Sequence, residues 1–286
     1  MAVVNTNVGA LVAQAALAKN DRNLSAAMTQ LSTGTKINSA GDNASGLAIS
    51  ARMTSQIRGL DAAVSNANDA ISMVNTAEGA LNEITNMLQR MRELAVQAGT
   101  GTTDSADRIY LNSEFKDLRA EIDRIVDNTQ WNGRNILNAA AGGGAGVSTV
   151  AFQVGMDPKQ TISTTFGNFM DTSGKLSGMA SKTLSTVTVA SAINQASSVI
   201  TELDVVIADV SAQRATFGAV TNRLTHAIDN LTNVKTSAEA SRSRILDTDY
   251  AAATSELART QIIQQAATAM LAQANALPQT ILALLK

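Results

Sequence analysis

Apolar residues recur at every seventh position between Ile57 and Val96, and this spacing limits the possible folds more than any other feature of the chain. One series consists of Leu60, Ala67, Val74, Leu81, Leu88 and Ala95, and the other of Ile57, Val64 and Ile71. Such spacing keeps the apolar side chains on one helix face, which needs a partner helix. About forty helical residues extend for ~60 Å, too far for the core of a compact domain. The stretch therefore predicts one helix of an extended bundle.

A second helix with the same spacing is predicted near the other end of the chain. Its series consists of Leu203, Val210, Phe217, Leu224, Leu231, Ala238 and Ile245. Aromatic residues make up only 3% of the chain and there are two prolines, so long helices with close contacts are favoured over a large rounded core. The prediction is a mainly α fold, an elongated antiparallel helical rod or coiled coil.

The N-terminal residues 1–34 predict a further helix, and Gly34 is suited to end it because glycine readily adopts the left-handed conformation of a C-cap. Residues 35–45 are rich in turn-forming residues and predict an extended connector. Either Asp42 or Asn43 can cap the long helix that follows.

Two other helices are predicted, over 104–128 and from Tyr250 onward. The segment Thr129–Gly133 is predicted to end the first of these as a turn. The polar residues 247–249 separate the second from the preceding long helix.

One small β-hairpin region is predicted at about 147–170. Two alternating apolar runs, Val150, Phe152, Val154 and Ile162, Thr164, Phe166, flank a turn-forming segment from Gly155 to Pro158. The Ala- and Gly-rich stretch from Ala139 to Gly146 lacks any pattern and is predicted to be a surface loop.

Residue types that support catalysis or metal binding are scarce. The chain has no cysteine and a single histidine, His226, which is predicted to be an exposed or partly packed helix residue. No motif for a nucleophile, a zinc site or a phosphate loop occurs. The sequence thus predicts neither an enzyme nor a cofactor-binding protein.

Charge and hydropathy argue against two classes of partner. The net charge is −2 and no basic stripe occurs, so nucleic acid is not expected to bind. The apolar runs are too short for a membrane span. The first eighteen residues lack Lys and Arg, so a cleaved signal peptide is not expected, and any export would use another route.

The two terminal segments carry apolar stripes without a large partner in the chain. Pairing would bury only one face of each helix, and neighbouring copies would have to cover the rest, which favours an open helical polymer. The residues predicted to mediate polymerisation are Val8, Leu11, Val12, Leu24, Met28, Leu31, Leu257, Ile263, Met270, Leu277, Ile281, Leu282, Leu284 and Leu285.

Several ordered motifs resemble those of bacterial flagellin, and together they cover both ends of the chain. They are Leu31–Ser50, Leu88–Gln97, Thr129–Leu137, Phe152–Gly155, Ser241–Tyr250 and Leu277–Leu285. Little else lies between them besides the hairpin. The chain therefore resembles a minimal flagellin, without the outer domains that longer members insert.

The resemblance implies a domain arrangement. Residues 1–34 and 250–286 would form an inner layer called D0, and residues 46–240 a surrounding helical rod with the hairpin, called D1. The connectors 35–45 and 241–249 would join them.

The resemblance also implies a function and a set of partners. The chain would be a structural subunit of the flagellar filament, the extracellular propeller for swimming, and its terminal helices would fold on polymerisation. Its partners would be other copies of itself, an export chaperone on the C-terminal segment, the type III export apparatus, the filament cap and the hook–filament junction protein.

Host innate immune receptors are a further implied partner. In flagellins, the segment that matches Leu88–Gln97 is recognised by vertebrate Toll-like receptor 5, with help from the next helix. Carried over by position, Arg90, Leu94 and Glu114 would make the main contacts. In the structural alternative, Leu94 simply packs and Arg90 pairs with a carboxylate between subunits.

Two other protein classes share parts of this pattern. A soluble coiled-coil scaffold would account for the long seams, but it fits the hairpin and the unmatched terminal stripes poorly. A flagellin-like hook–filament junction protein would share the termini, whereas the intact 88–97 motif and the hairpin favour the filament subunit.

Overall fold

The computed structural model describes residues 6–139, 149–170, 174–179, 181–184 and 189–284, and side chains as far as residue 276. In this part of the chain the fold is mainly helical, which confirms the predicted class. The helices are α1 (Val8–Thr33), α2 (Ala44–Ala98), α3 (Ser105–Asn128), α4 (Val189–Leu246) and α5 (Tyr250–Leu284), with a short 3₁₀ turn at Ser177–Met179. The predicted loop at 139–146 lies almost entirely outside the described residues.

The chain divides into two compact units. The first unit comprises Met1–Ile57 and Thr236–Lys286, and the second comprises Arg58–Lys235. Both α2 and α4 contribute residues to each unit. The domain boundaries implied by the flagellin motifs differ from these limits, and they stay a prediction.

Local capping chemistry sets the helix ends close to where the sequence predicted them. Gly34 has a φ of 71° and its N–H donates to the Gln30 carbonyl, so it ends α1 as a left-handed cap. The Asn43 side chain accepts a hydrogen bond from the Gly46 N–H at 2.8 Å and so caps α2. Asp104 caps α3 in the same way through the Ser105 N–H.

The core of the second unit is built from the seven-residue series. Leu60, Ala67, Val74, Leu81, Leu88 and Ala95 are all buried along α2. On α4, Leu203, Val210, Phe217 and Leu224 are buried as well. The Phe217 ring packs against Phe166 with centroids 5.1 Å apart. The seams that define the predicted rod therefore form the apolar interior of this unit.

A short strand pair follows α3, where the sequence predicted only a turn. Strands β1 (Gln130–Trp131) and β2 (Arg134–Asn135) are antiparallel, with Gln130 opposite Asn135. Asn132 and Gly133 have φ values of 49° and 75°, the left-handed pair that a two-residue hairpin requires. The Asn132-Gly133 dipeptide is typical of such hairpins, so it was the sequence feature that could have predicted this strand pair.

The predicted β-hairpin is confirmed in the second unit. Strands β3 (Thr149–Gln153) and β4 (Thr161–Thr165) pair antiparallel, with Val150 opposite Thr164 and Phe152 opposite Ile162. One face of β4 is buried and the other is exposed, as the alternating pattern predicted. Within the described residues, no helix is both long and apolar enough to cross a membrane.

Candidate assembly surface

Helices α1 and α5 pair antiparallel in the first unit. The side-chain amide of Asn7 donates to the Ala274 carbonyl at 2.8 Å near one end of the pair. The Asn20 amide donates to the Thr260 carbonyl, also at 2.8 Å, near its middle. These bonds cross from one helix to the other over more than two hundred residues of sequence, and they fix which residues face each other.

The seam between the two helices consists mainly of small residues, with leucines at intervals. The positions that face the partner are buried or half-buried and repeat with alternating steps of three and four. On α1 they are Ala10, Ala13, Leu17, Asn20, Leu24, Ala27 and Leu31, and on α5 they are Ala253, Leu257, Thr260, Gln264, Ala267, Leu271 and Ala274.

Large apolar side chains lie on the outside of this pair. Val12 and Met270 are each 65% exposed, and Ile262 is exposed to a similar degree. Exposed apolar residues grouped on one surface are typical of interaction sites.

The predicted polymerisation residues fall into three groups. Val8, Leu11, Val12, Met28, Ile263 and Met270 are exposed. Leu24, Leu31 and Leu257 are half-buried in the seam. Leu277, Ile281, Leu282, Leu284 and Leu285 lie beyond the described side chains. Ile262 was not among the predicted polymerisation residues, although it directly precedes the predicted Ile263.

An apolar groove runs along the outside of the α1–α5 pair. Both small and larger apolar side chains line it. The lining residues are Gly9, Val12, Ala13, Ala16, Ile263, Ala266, Ala267 and Met270. A groove of this shape can receive the apolar side chains of another helix.

The two connectors beside the pair are joined by main-chain hydrogen bonds. The Lys36 N–H donates to the Leu246 carbonyl at 2.6 Å, and the Thr248 N–H donates to the Gly34 carbonyl at 3.0 Å. Thr35 and Asp247 form an isolated β-bridge between the same segments.

The side chain of Asp42 closes the turn in the first connector through two hydrogen bonds to the backbone. The Asp42 carboxylate accepts hydrogen bonds from the backbone N–H groups of Ser39 at 2.9 Å and Asn38 at 3.0 Å. These two bonds, with the Ser39 bond as the larger cause, hold the pKa of Asp42 below its ordinary value of 3.8.

Arg90 forms an ion-pair cluster on the surface of the second unit. Its guanidinium contacts Glu114 at 2.8 Å and Glu93 at 3.0 Å. The hydrogen bond that Arg90 donates to Glu114 is the main cause that raises the pKa of Arg90. Leu94 is only 1% exposed and packs in the core of this unit. The structure thus brings Arg90 and Glu114 together on the surface and places Leu94 beneath it.

The described residues contain no group of three or more His, Asp or Glu side chains placed to hold a metal ion. His226 lies on an exposed position of α4, as predicted.

Comparison with known proteins identifies the family. Residues 4–141 match the family described as the bacterial flagellin N-terminal helical region, and residues 200–285 match the bacterial flagellin C-terminal helical region. A flagellin of Halalkalibacterium halodurans is 42% identical over 99% of this chain and 100% of its own length.

The chain belongs to the bacterial flagellin family. A flagellar filament 33 kDa core protein of Treponema phagedenis is 36% identical to this flagellin, over 99% of the chain and the whole relative. This flagellin is accordingly a structural subunit of the flagellar filament, which lies outside the cell, and it assembles with other copies of itself.

A solved structure shares the fold. It is assigned to a flagellar hook-associated protein of Vibrio parahaemolyticus and has a TM-score of 0.59, over 72% of this flagellin and 100% of that chain. At 14% identity the likeness concerns the fold alone. The alternative of a hook–filament junction protein gains no support from it, since the relatives that match along the full length are flagellins.

Proposed function

We propose that this flagellin polymerises through the outer apolar faces of α1 and α5. The observation that carries the proposal is the exposure of Val12, Ile262 and Met270 on a helix pair whose seam is closed largely by small residues. Full burial of one such side chain contributes about 1.5–3 kcal/mol, so several of them per subunit provide a substantial driving force. The groove that Val12 and Met270 help to line can receive apolar side chains of another copy.

The geometry of the pair favours an open polymer. The pair itself leaves this groove uncovered, together with exposed apolar residues that do not line it, such as Leu11 and Ile262. When one copy places such residues in the groove of the next, two different surfaces meet head-to-tail, and repeated contacts of this kind generate a helix.

The terminal segments 1–34 and 250–286 are proposed to form the inner D0 layer of the filament and to become ordered on assembly. The connectors 35–45 and 241–249 would then link this layer to the D1 rod, residues 46–240. The proposal is supported by the narrow seam of the α1–α5 pair, because ordering costs about 1–2 kcal/mol per residue and alanine contacts return little of it.

Membership of the flagellin family supports further partners. The proposed route is the type III export apparatus, with an export chaperone on the C-terminal segment before export. The filament cap and the hook–filament junction protein are the proposed partners after export.

Replacing Val12 with aspartate tests the assembly face. Val12 is exposed and lies in the first unit, so Val12→Asp is expected to leave the fold of the second unit unchanged. Filament formation should fall at least about tenfold, because a carboxylate would enter an apolar contact. Sedimentation and negative-stain microscopy after seeding provide the measurement.

The matched control is Asn23→Asp, which adds one negative charge at an exposed polar position of the same helix. Filaments at the normal yield from Val12→Asp would refute the proposed face. Equal loss in both variants would mean that charge, rather than the apolar stripe, governs assembly.

A receptor-binding surface around Arg90 is a second proposal. Arg90 and Glu114 are both half-exposed and joined at 2.8 Å, so they present a fixed charged pair. Leu94 would act indirectly, because it packs below this surface and supports α2. The position of the pair in the motif that resembles the Toll-like receptor 5 segment also supports the proposal.

A receptor reporter assay on Arg90→Ala and Leu94→Ala monomers tests this surface. Both variants are expected to lower the response, Arg90→Ala through a lost contact and Leu94→Ala through a disturbed support. Arg124→Ala is the control, because Arg124 forms a comparable exposed ion pair with Glu121 on α3. Unchanged responses to the Arg90 and Leu94 variants would exclude the proposed contact.

A further inference from the structure

Met270 places a thioether in the apolar groove on the α1–α5 pair. Its side chain is 65% exposed, and it lines the groove together with Val12 and Ile263. The remaining lining residues are alanines and Gly9, so none of the side chains in the lining can donate a hydrogen bond. Met270 therefore combines access to solvent with apolar side chains around it.

Oxidisable sulfur in this flagellin is confined to methionine. The chain has ten methionines and no cysteine, so a peroxide that attacks sulfur can act only on thioethers. In the second unit, Met73, Met91 and Met179 are buried and shielded from an oxidant dissolved in water. Among the described residues, the exposed methionines are Met28, Met156 and Met270. Of these, Met270 is the one that lines the groove.

Oxidation would turn this apolar side chain into a polar one. The O–O bond of hydrogen peroxide breaks, one oxygen forms an S–O bond with the Met270 thioether, and the other leaves as water. The sulfur is oxidised and the peroxide is reduced. The product, methionine sulfoxide, carries an oxygen that accepts hydrogen bonds. In the free subunit this oxygen would bond to water, because the side chain is exposed.

Assembly would bury this oxygen without a partner. When apolar side chains of another copy fill the groove, water leaves and no side chain of the lining replaces it as a donor. A buried acceptor without a hydrogen bond should weaken assembly about tenfold or more. The unoxidised thioether has the opposite effect, because it is apolar and adapts its shape to the side chains that it meets. Oxidation therefore favours the free subunit over the assembled one.

We propose that Met270 is a reversible oxidation site that decides whether a subunit can enter the filament. The inference rests on the proposed function, because it needs the groove to be covered on assembly. A subunit oxidised at Met270 stays free, whereas an assembled subunit is shielded from the oxidant. A methionine sulfoxide reductase, supplied with electrons by a dithiol, returns the thioether, releases the oxygen as water and so restores assembly.

Partial oxidation of the wild-type monomer tests the site without any substitution. The full-length monomer is treated briefly with hydrogen peroxide, freed of the peroxide, seeded and sedimented, and peptide mass spectrometry measures the sulfoxide in the pellet and in the supernatant. Sulfoxide at Met270 should be enriched about tenfold or more in the supernatant. Sulfoxide at Met156, an exposed methionine of the second unit, should be distributed evenly.

Three results of this experiment would overturn the proposal. They are an even distribution of sulfoxide at Met270, equal enrichment at Met270 and Met156, and no oxidation of Met270 in the monomer. The supernatant is then treated with methionine sulfoxide reductase and dithiothreitol and seeded again. Filaments should return once Met270 is reduced. Continued failure to assemble would attribute the loss to damage elsewhere in the chain and would also refute the proposal.

Substitutions test the polarity of position 270 without an oxidant. Met270→Gln is polar and similar in length, and it should lower the yield of filaments about tenfold or more. Met270→Leu stays apolar, and Met156→Gln makes the polar change outside the groove, so both should assemble normally. Normal filaments from Met270→Gln, or equal losses in Met270→Gln and Met270→Leu, would show that polarity at this position does not govern assembly.

Val12→Asp separates this inference from the proposed function. Normal filaments from Val12→Asp would refute the assembly face, and the role of Met270 with it. Loss of filaments from Val12→Asp, together with normal filaments from Met270→Gln and an even distribution of the Met270 sulfoxide, would leave the assembly face in place and refute only the oxidation site.

Discussion

The Asp42 carboxylate gives the first connector a pH-sensitive turn. It accepts two backbone hydrogen bonds, from Ser39 and Asn38, and these lower its pKa from the ordinary value of 3.8. A lowered folded-state pKa means that these bonds stabilise the turn fully above the ordinary pKa. This contribution is lost as the pH falls through the lowered value.

We predict that the Ser39 and Asn38 amide resonances titrate together in NMR spectra, with a midpoint below 3.8. Asp42→Asn is the control, because it removes the titrating group while keeping a side-chain acceptor. A midpoint at or above 3.8 would show that the carboxylate does not accept these bonds in solution.

Residue-level predictions succeeded where the deciding chemistry is local. Gly34 and Asn43 could be predicted as caps because each satisfies backbone groups within a few residues of itself. The strand pair around Asn132 and Gly133 was equally local and its dipeptide signal was visible, but the two strands are too short to show an alternating pattern.

At the scale of elements, the helices and the hairpin followed from periodicity, but the seam face of α1 and α5 did not. Large residues such as Val12 and Met270 were expected to define one apolar stripe, and the structure places them outside the pair. The seam instead combines leucines such as Leu24 and Leu257, which belonged to the predicted stripes, with small residues and Asn20, which carry little hydropathy signal. The periodicity of apolar residues predicts that a helix face will be buried against a partner. It does not show whether that partner is another helix of the same chain or a helix of another copy.

Leu224 tests the long seam of α4. Its side chain is fully buried in a cluster with Ala67, Ala70, Ile162 and Val220. Leu224→Asp would bury an unpaired carboxylate, so the free energy of unfolding should fall by about 3–5 kcal/mol. Thermal and urea unfolding followed by circular dichroism provide the measurement.

Asn222→Asp is the control for this change. It adds the same charge two residues away, at an exposed position of the same helix, and should leave the melting temperature nearly unchanged. A melting temperature of Leu224→Asp equal to that of the wild type would contradict the observed burial.

At the scale of the whole molecule, the two compact units differ in how they bury their large apolar side chains. The second unit encloses large side chains such as Leu88, Phe166 and Phe217, whereas the first leaves several of its large apolar residues exposed. The limits of these units could not be predicted, because α2 and α4 continue through them without a break in their helical pattern. Only the tertiary contacts show which part of α2 or α4 belongs to which unit.

We predict that deleting residues 278–286 leaves the second unit folded and abolishes polymerisation. The buried seams of that unit do not involve the tail, whereas the proposed inner layer would lose its C-terminal contacts. Limited proteolysis of the wild-type monomer should trim both termini and spare the rod, and circular dichroism should show a gain of helix on assembly.

A short tag inserted between Ala141 and Gly146, in a segment outside the described residues, serves as the control and should permit filaments. Filaments from the truncated chain, or a monomer whose termini resist protease as well as its rod, would refute coupled folding and assembly.

The joint between the two connectors has a consequence for mutational tolerance. Its hydrogen bonds, from Lys36 to Leu246 and from Thr248 to Gly34, use main-chain atoms alone. Side chains at the two donor positions can therefore change in size, charge or polarity over evolutionary time without breaking the joint. Proline is the exception, because it has no amide proton to donate. Selection at these two positions would act against one residue type, and a library of substitutions there should be depleted chiefly in proline.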